Sequence, residues 1–319
     1  MTRSQITPIL GTSIGAALYG YISYILFTGD YFTLDAFSWS FIMLIPYAIG
    51  VITVYFSPEK FHDSLLYALL MPWASIAVLF LLALVVSFGM LLCLIFSLPY
   101  FLPNATLGGL SVWLIRRQKR LATSLLIIAA LLPYLGSPVE AQLDAPHQLT
   151  TTHTQISINA DPATIWAEIA SVDPITKDEQ RFNWLHLVGL PRPVAATLSE
   201  HRLGGVRDAS FEHGLHFDET ITRWEENEHL HFTIRETSQN LLPPPLNLID
   251  GERFDVIAGR YDIEPQADGT VILHLTSDHY LQSRFNRYGS FWTDYIMRDL
   301  QNYILRILKD RAEAAETAS

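Results

Sequence analysis

The sequence predicts two units: an all-α transmembrane region of about five apolar helices, then an α+β domain whose antiparallel sheet wraps around one long carboxyl-terminal helix. Three observations predict this. Long apolar runs without charge fill the first part of the chain, a basic cluster of Arg116, Arg117, Lys119 and Arg120 stands near their end, and beyond it alternating strand-like runs lead into one amphipathic stretch. The 319 residues are 50% hydrophobic and the apolar ones are clustered, which one small domain with evenly spaced core positions does not produce. The expected boundaries are 1–137 for the transmembrane region, 138–152 for a linker, 153–315 for the α+β domain and 316–319 for a tail.

Charge follows the same division. Before Leu121 the basic residues are Arg3, Lys60, Arg116, Arg117, Lys119 and Arg120 against Asp30, Asp35, Glu59 and Asp63, so most of the net charge of -11 belongs to the second unit. An acidic domain is no partner for nucleic acid. The lone cysteine, Cys93, excludes an intrachain disulfide.

A crossing needs roughly 20 apolar residues. Ile9 to Phe27 and Phe37 to Phe56 are uncharged runs of that order, and Leu121 to Leu135 is shorter, to be completed by Gly136 and Ser137. Leu65 to Ile115 carries no charge and is too long for one crossing, so it reads as two, broken near Ser87-Phe88-Gly89 or within Pro99 to Asn104. Tyr21, Tyr24, Trp39, Trp73, Tyr100 and Trp113 fall near the ends, where an aromatic belt belongs. The runs contain no ionisable residue of the kind that marks ion or proton transport.

Basic loops stay on the cytoplasmic side. Arg116 to Arg120 is therefore inside, the acidic loop Thr28 to Ala36 outside, and five crossings carry the second unit beyond the inner membrane, into the periplasm. The order basic cluster, apolar run, Val139-Glu140-Ala141 also matches a secretory signal with cleavage after Ala141. An uncut anchor is the reading taken, because such signals stand at the amino terminus.

In the second unit, Ser137 to Thr152 reads as a Pro- and Thr-bearing lead-in and Thr154 to Ile158 as a strand. Asp161 is placed to cap, and Pro162 to start, a helix over Ala163 to Ala170. Gly205 to His213, Leu215 to Trp224, His229 to Glu236, Gly259 to Glu264 and Val271 to Tyr280 alternate as strands, the last two joined through Ala267-Asp268-Gly269-Thr270. From Phe291 to Ala315 apolar residues recur at three and four, as a helix packing one face would place them.

Three segments together carry a family resemblance: Ile156 to Trp166 with its Asn159-Ala160-Asp161-Pro162 turn, the run Gly204-Gly205-Val206-Arg207 to Trp224, and the closing helix through Ile307-Leu308-Lys309. Over about residues 150 to 315 the chain resembles the START-like, or SRPBCC, superfamily, which includes polyketide cyclase/dehydratase-like and lipid-transfer domains. It looks most like bacterial membrane-tethered members. The resemblance implies a helix-grip fold with an apolar cavity between sheet and last helix, and it leaves function open, since one fold hosts carriers, enzymes and receptors.

Strand parity then selects what faces the cavity. Leu215, Phe217 and Ile221 bring Glu219 inward; Ala209 and Phe211 bring Arg207 and His213; Val271, Leu273 and Leu275 continue into Ser277 and His279; Tyr261 shares a face with Ile263. Arg207, Glu219, Tyr261, Ser277 and His279 are the candidate ligand-binding residues. A carboxylate on an apolar face needs a partner, and Arg207 is the candidate for Glu219. Such a pair can brace the sheet, recognise a headgroup or, with His279, serve acid/base chemistry.

His213 and His216 fall on opposite faces, and His229 and His231 share the outward face with Thr233, so no metal is assigned; no cofactor motif and no Ser/His/Asp order is found. Leu190-Pro191-Arg192-Pro193 and Leu241 to Leu246 are apolar loops suited to the lips of a cavity, with Ser283 to Trp292 closing one end, Arg284 and Asn286 as gate groups. The expected function is membrane-tethered binding or transport of a hydrophobic small molecule or lipid. A cyclase- or dehydratase-like enzyme and a structural or sensory module with a protein partner are the alternatives.

Overall fold

The computed structural model describes residues 3–29, 34–86, 91–118, 123–238 and 253–318. It forms two units, Met1–Asp144 and Ala145–Ser319.

The first unit is helical: α1 (Arg3–Thr28), a π-helical turn Ser40–Leu44 running into α2 (Ile45–Tyr55), α3 (Leu65–Val86), α4 (Leu91–Arg117) and α5 (Thr123–Glu140). Of the two places offered for the single break in the long apolar run, the later one does not break the helix, because Pro99 and Pro103 lie inside α4. Residues 87–90 themselves fall outside the described ones.

Among the described residues, four helical stretches are long and apolar enough to cross a membrane: Leu10–Thr28, Leu65–Val85, Cys93–Arg117 and Thr123–Glu140. The fifth expected span, Phe37 to Phe56, forms only the shorter apolar helix Ser40–Tyr55, about 24 Å long at about 1.5 Å per residue against about 30 Å of hydrocarbon. Its ends are fixed by charge. The Glu140 carboxylate accepts from Trp39 N at 2.7 Å and Ser40 N at 2.9 Å, and the Arg116 guanidinium donates to Val54 O at 3.1 Å and Tyr55 O at 2.6 Å. An anion at the start and a cation at the end complement the helix dipole. Small residues let the backbones close: a Cβ on Gly50 would meet Ala105 O at 1.9 Å and one on Gly108 would meet Tyr47 O at 2.0 Å, the close approach that small residues allow between apolar helices.

The second unit carries β1 (His147–Ile158), α6 (Pro162–Ala170), α7 (Trp184–Leu187), β2 (Pro193–Leu198), β3 (Val206–Phe211), β4 (His216–Glu225), β5 (His229–Glu236), β6 (Phe254–Pro265), β7 (Val271–Gln282) and α8 (Asn286–Ala318). The seven strands form one antiparallel sheet in the order β1-β7-β6-β5-β4-β3-β2. β1 begins well inside the stretch read as a lead-in, and β2 and α7 were not anticipated. Asp161 stands at the start of α6 in extended backbone, yet its side chain makes no capping bond.

α8 buries Met297, Gln301, Leu305, Leu308 and Ala312, a stripe at three- and four-residue spacing. Leu305, Leu308 and Ala312 share one core with Ile165, Trp166 and Ile169 of α6 and with Ala209, Phe217, Leu230, Tyr261 and Leu273 of the sheet. An antiparallel sheet covered on one face by a long terminal helix is the expected helix-grip arrangement.

Candidate ligand-binding site

All five residues selected by strand parity are buried: Arg207, Glu219, Tyr261, Ser277 and His279. They fall into two polar groups under the helices. His213 departs from its expectation: β3 ends at Phe211, and His213 lies exposed in a turn at φ 64.

The first group is Arg207, Glu219 and Tyr261. β3 and β4 pair Arg207 directly with Glu219, and Arg207 Nε donates to Glu219 Oε2 at 2.5 Å. Arg207 Nη1 donates to Ile169 O of α6 at 2.5 Å. The guanidinium lies over the Phe232 ring at 4.6 Å and the Tyr261 ring at 5.7 Å, contacts that are strongest where water is excluded. Gly259 makes room for this: a Cβ there would meet the Phe232 ring at 2.4 Å. Burial raises the Glu219 carboxyl, with Arg207 opposing, and burial likewise raises the Tyr261 hydroxyl. The pair is satisfied by protein groups, as a buried ion pair must be.

The second group surrounds the end of β7, where Val271, Leu273, Leu275, Ser277 and His279 are buried in strict alternation. Ser277 Oγ accepts from Gln301 Nε2 at 2.9 Å, and the same amide donates to Thr152 O at 3.2 Å while its oxygen accepts from Thr154 Oγ1 at 2.9 Å. Thr152 Oγ1 donates to Asp294 Oδ1 at 2.8 Å. Arg298 Nε donates to the other Asp294 oxygen, also at 2.8 Å. Burial would raise the Asp294 carboxyl, and these two bonds outweigh it and hold it low.

His279 differs from its neighbours. It is 0% exposed, and among the described residues neither ring nitrogen has a hydrogen-bond partner. Burial pushes the imidazole down, against the pull of Asp294 and Asp278, which keeps the ring uncharged at neutral pH. The Phe254 ring stands 5.7 Å away. On the next strand the register shifts between Val256, opposite His279, and Ala258, and such bulges re-aim side chains and interrupt pairing beside sites. A buried imidazole without partners is costly, about 1–3 kcal/mol for an unsatisfied polar group, unless another molecule supplies them.

No protein-family model and no curated protein matches this chain. Among solved structures, an uncharacterised protein from Rhizobium leguminosarum matches over 53% of this chain and 99% of its own, at 10% identity and a TM-score of 0.34. Truncated norcoclaurine synthase from Thalictrum flavum matches over 52% and 96%, at 11% identity and 0.31. The Aha1 dimer from Colwellia psychrerythraea matches over 51% and 96%, at 16% identity and 0.29. The strand order and the packing of α8 against the sheet define the fold.

The loop Leu190 to Pro193 is packed rather than open: Pro191 and Pro193 are buried, Arg192 bridges to Glu212 at 3.3 Å and Leu190 O bonds the His186 ring at 2.9 Å. Leu241 to Leu246 lies outside the described residues. Asn286, expected as a gate group, donates to Pro146 O at 2.5 Å. Gln301, Asp294 and Thr152 were missed by sequence reasoning. Gln301 was findable, as a polar residue on the stripe that continues through Leu305 and Leu308.

Proposed function

We propose that the second unit binds a hydrophobic small molecule or lipid between its sheet and α8, and that the apolar helices hold it beside a bilayer from which such a ligand partitions. The observation that carries this is His279: an uncharged imidazole, fully buried, with both nitrogens unsatisfied among the described residues. Sites for apolar ligands combine hydrophobic walls with a few convergent polar groups. His279 and Ser277 meet the ligand's polar end, and Arg207, Glu219 and Tyr261 line the same inner face of the sheet farther along it, on β3, β4 and β6. Tethering raises the local concentration of a poorly soluble ligand. Arg116 and Arg117 at the end of α4 support a cytoplasmic position for that end, with the second unit beyond the inner membrane of a bacterium.

A second reading, acid/base chemistry on the bound molecule, is favoured by the same ring, because a neutral imidazole with a free nitrogen is a base ready to accept a proton. Native mass spectrometry of the full chain, extracted in mild detergent from membranes, tests binding against a His279→Leu variant. A discrete apolar adduct on the wild type, weakened about fivefold in the variant, is expected, since one hydrogen bond contributes about 1 kcal/mol. A bare mass in both, or an adduct equal in both, overturns the site.

A further inference from the structure

On the opposite, outer face of the sheet, three strands bring a different set of side chains together. His229 and His231 alternate along β5 and so project from one face. The register places Glu225 of β4 opposite His229 on one side and Asp262 of β6 opposite it on the other. His229 Nδ1 lies 2.6 Å, and His231 Nε2 2.9 Å, from the same oxygen, Asp262 Oδ1. The ligating atoms of His229, His231 and Asp262 lie within 4.8 Å of one another, and so do those of Glu225, Glu228 and His229. His229 belongs to both groups. Asn227, at φ 67 in the β4–β5 turn, adopts the left-handed backbone that turns the chain back beside Glu228.

We propose that His229, His231 and Asp262 bind a divalent transition-metal ion of the zinc class, with Glu228 as the carboxylate able to complete the set. The donor types are those of zinc: two imidazole nitrogens and carboxylate oxygen, at bonds of about 2.0–2.2 Å. Tetrahedral bonds of that length set neighbouring donors about 3.3 Å apart. The two histidine–aspartate separations are therefore shorter than a metal needs by well under 1 Å, a gap that rotation of half-buried side chains closes. In the metal-free chain His229 Nδ1 and His231 Nε2 donate to Asp262 Oδ1; binding the ion there would move each ring proton to the other nitrogen, as a neutral imidazole ligand requires.

The surroundings favour a cation. Arg223 is bound bidentately by Glu225, at 2.9 and 2.7 Å, and Arg260 is bound by Asp278 at 3.0 Å, so the two guanidiniums opposite His231 in the register are each neutralised by a carboxylate outside the triad. Sequence reading took His229 and His231 as a polar face because Asp262, distant in the chain, joins them only through the β5–β6 register.

The test uses the full chain without an affinity tag, in detergent, stripped with a chelator and dialysed. Zn²⁺ uptake is counted by elemental analysis and Co²⁺ uptake by its visible d–d absorption, for the wild type and for His231→Gln and Asp262→Asn. One equivalent on the wild type, with affinity at least tenfold lower in both variants, is expected. The nearby outward pair His153 and His274 supplies the control, and His153→Gln is expected to bind as the wild type does. His229→Gln replaces any variant whose circular dichroism shows it unfolded. No stoichiometric uptake by the wild type, or uptake unchanged by His231→Gln and Asp262→Asn, overturns the site.

Discussion

Removing either member of the Arg207–Glu219 pair leaves the other charge buried, and that is the sharpest stability test of the second unit. Arg207→Met keeps the length of the side chain but strands Glu219, which is 8% exposed. It also removes the bond to Ile169 O and the guanidinium over Phe232. Glu219→Leu leaves Arg207, 3% exposed, with a single charged anchor gone. Breaking a buried pair from one side costs about 3–5 kcal/mol, whereas replacing both members with apolar residues of similar volume is often neutral or stabilising. The double variant still orphans Ile169 O, worth about 1–3 kcal/mol. The expected result is a loss of about 3–5 kcal/mol in each single variant, at most about 3 kcal/mol in the double, and a coupling of at least about 3 kcal/mol in the cycle. Pulse proteolysis in urea, on the detergent-solubilised chain and read on fragments of the second unit, measures it. Additive losses, or single losses under about 1 kcal/mol, would refute the claim that the two charges depend on one another.

Three further outcomes are expected. His279 is lowered in the folded chain by burial; the unfolded chain therefore binds more protons below about pH 6.5, and stability falls as pH drops through that value. His279→Leu removes this slope, as urea midpoints between neutral and mildly acidic pH will show. Glu179 is held to about 2 by Arg311 of α8, so its contribution is full above the ordinary carboxylate range and is lost as pH falls toward 2; Glu179→Gln loses about 1–2 kcal/mol at neutral pH and none below pH 2, by the same midpoints, the figure discounted because this carboxylate is partly wet. Gly259→Ala drives a methyl into the Phe232 ring that supports Arg207, an overpacking expected to lower stability by about 1–3 kcal/mol and measurable by thermal melting.

Alternation made the inner face of the sheet legible. β7 is strictly periodic through His279, and Glu219 among Leu215, Phe217 and Ile221 announced a buried carboxylate that the β3–β4 register then paired with Arg207. What stayed hidden has physical causes. β1 turns Thr152 and Thr154 inward toward Asp294 and Gln301, so its buried face is polar and gives no apolar period. β2 starts at Pro193 on the sheet edge, where a missing N–H is tolerated, and its alanines carry little strand propensity. The span count depended on Phe37 to Phe56, whose helix is bounded by Glu140 and Arg116 from far along the chain. The outer cluster depended on Asp262, which only strand pairing brings to His229.

The most direct test of a bound apolar ligand is an experimental density map of the full chain, purified with lipid from its own membranes, at the interface of β7 and α8. The expected result is a non-protein group within about 3 Å of a His279 ring nitrogen, continuing as an apolar body between the sheet and α8. A map in which both ring nitrogens bond only to protein or a lone water, with side chains filling the space between sheet and helix, would contradict ligand binding there.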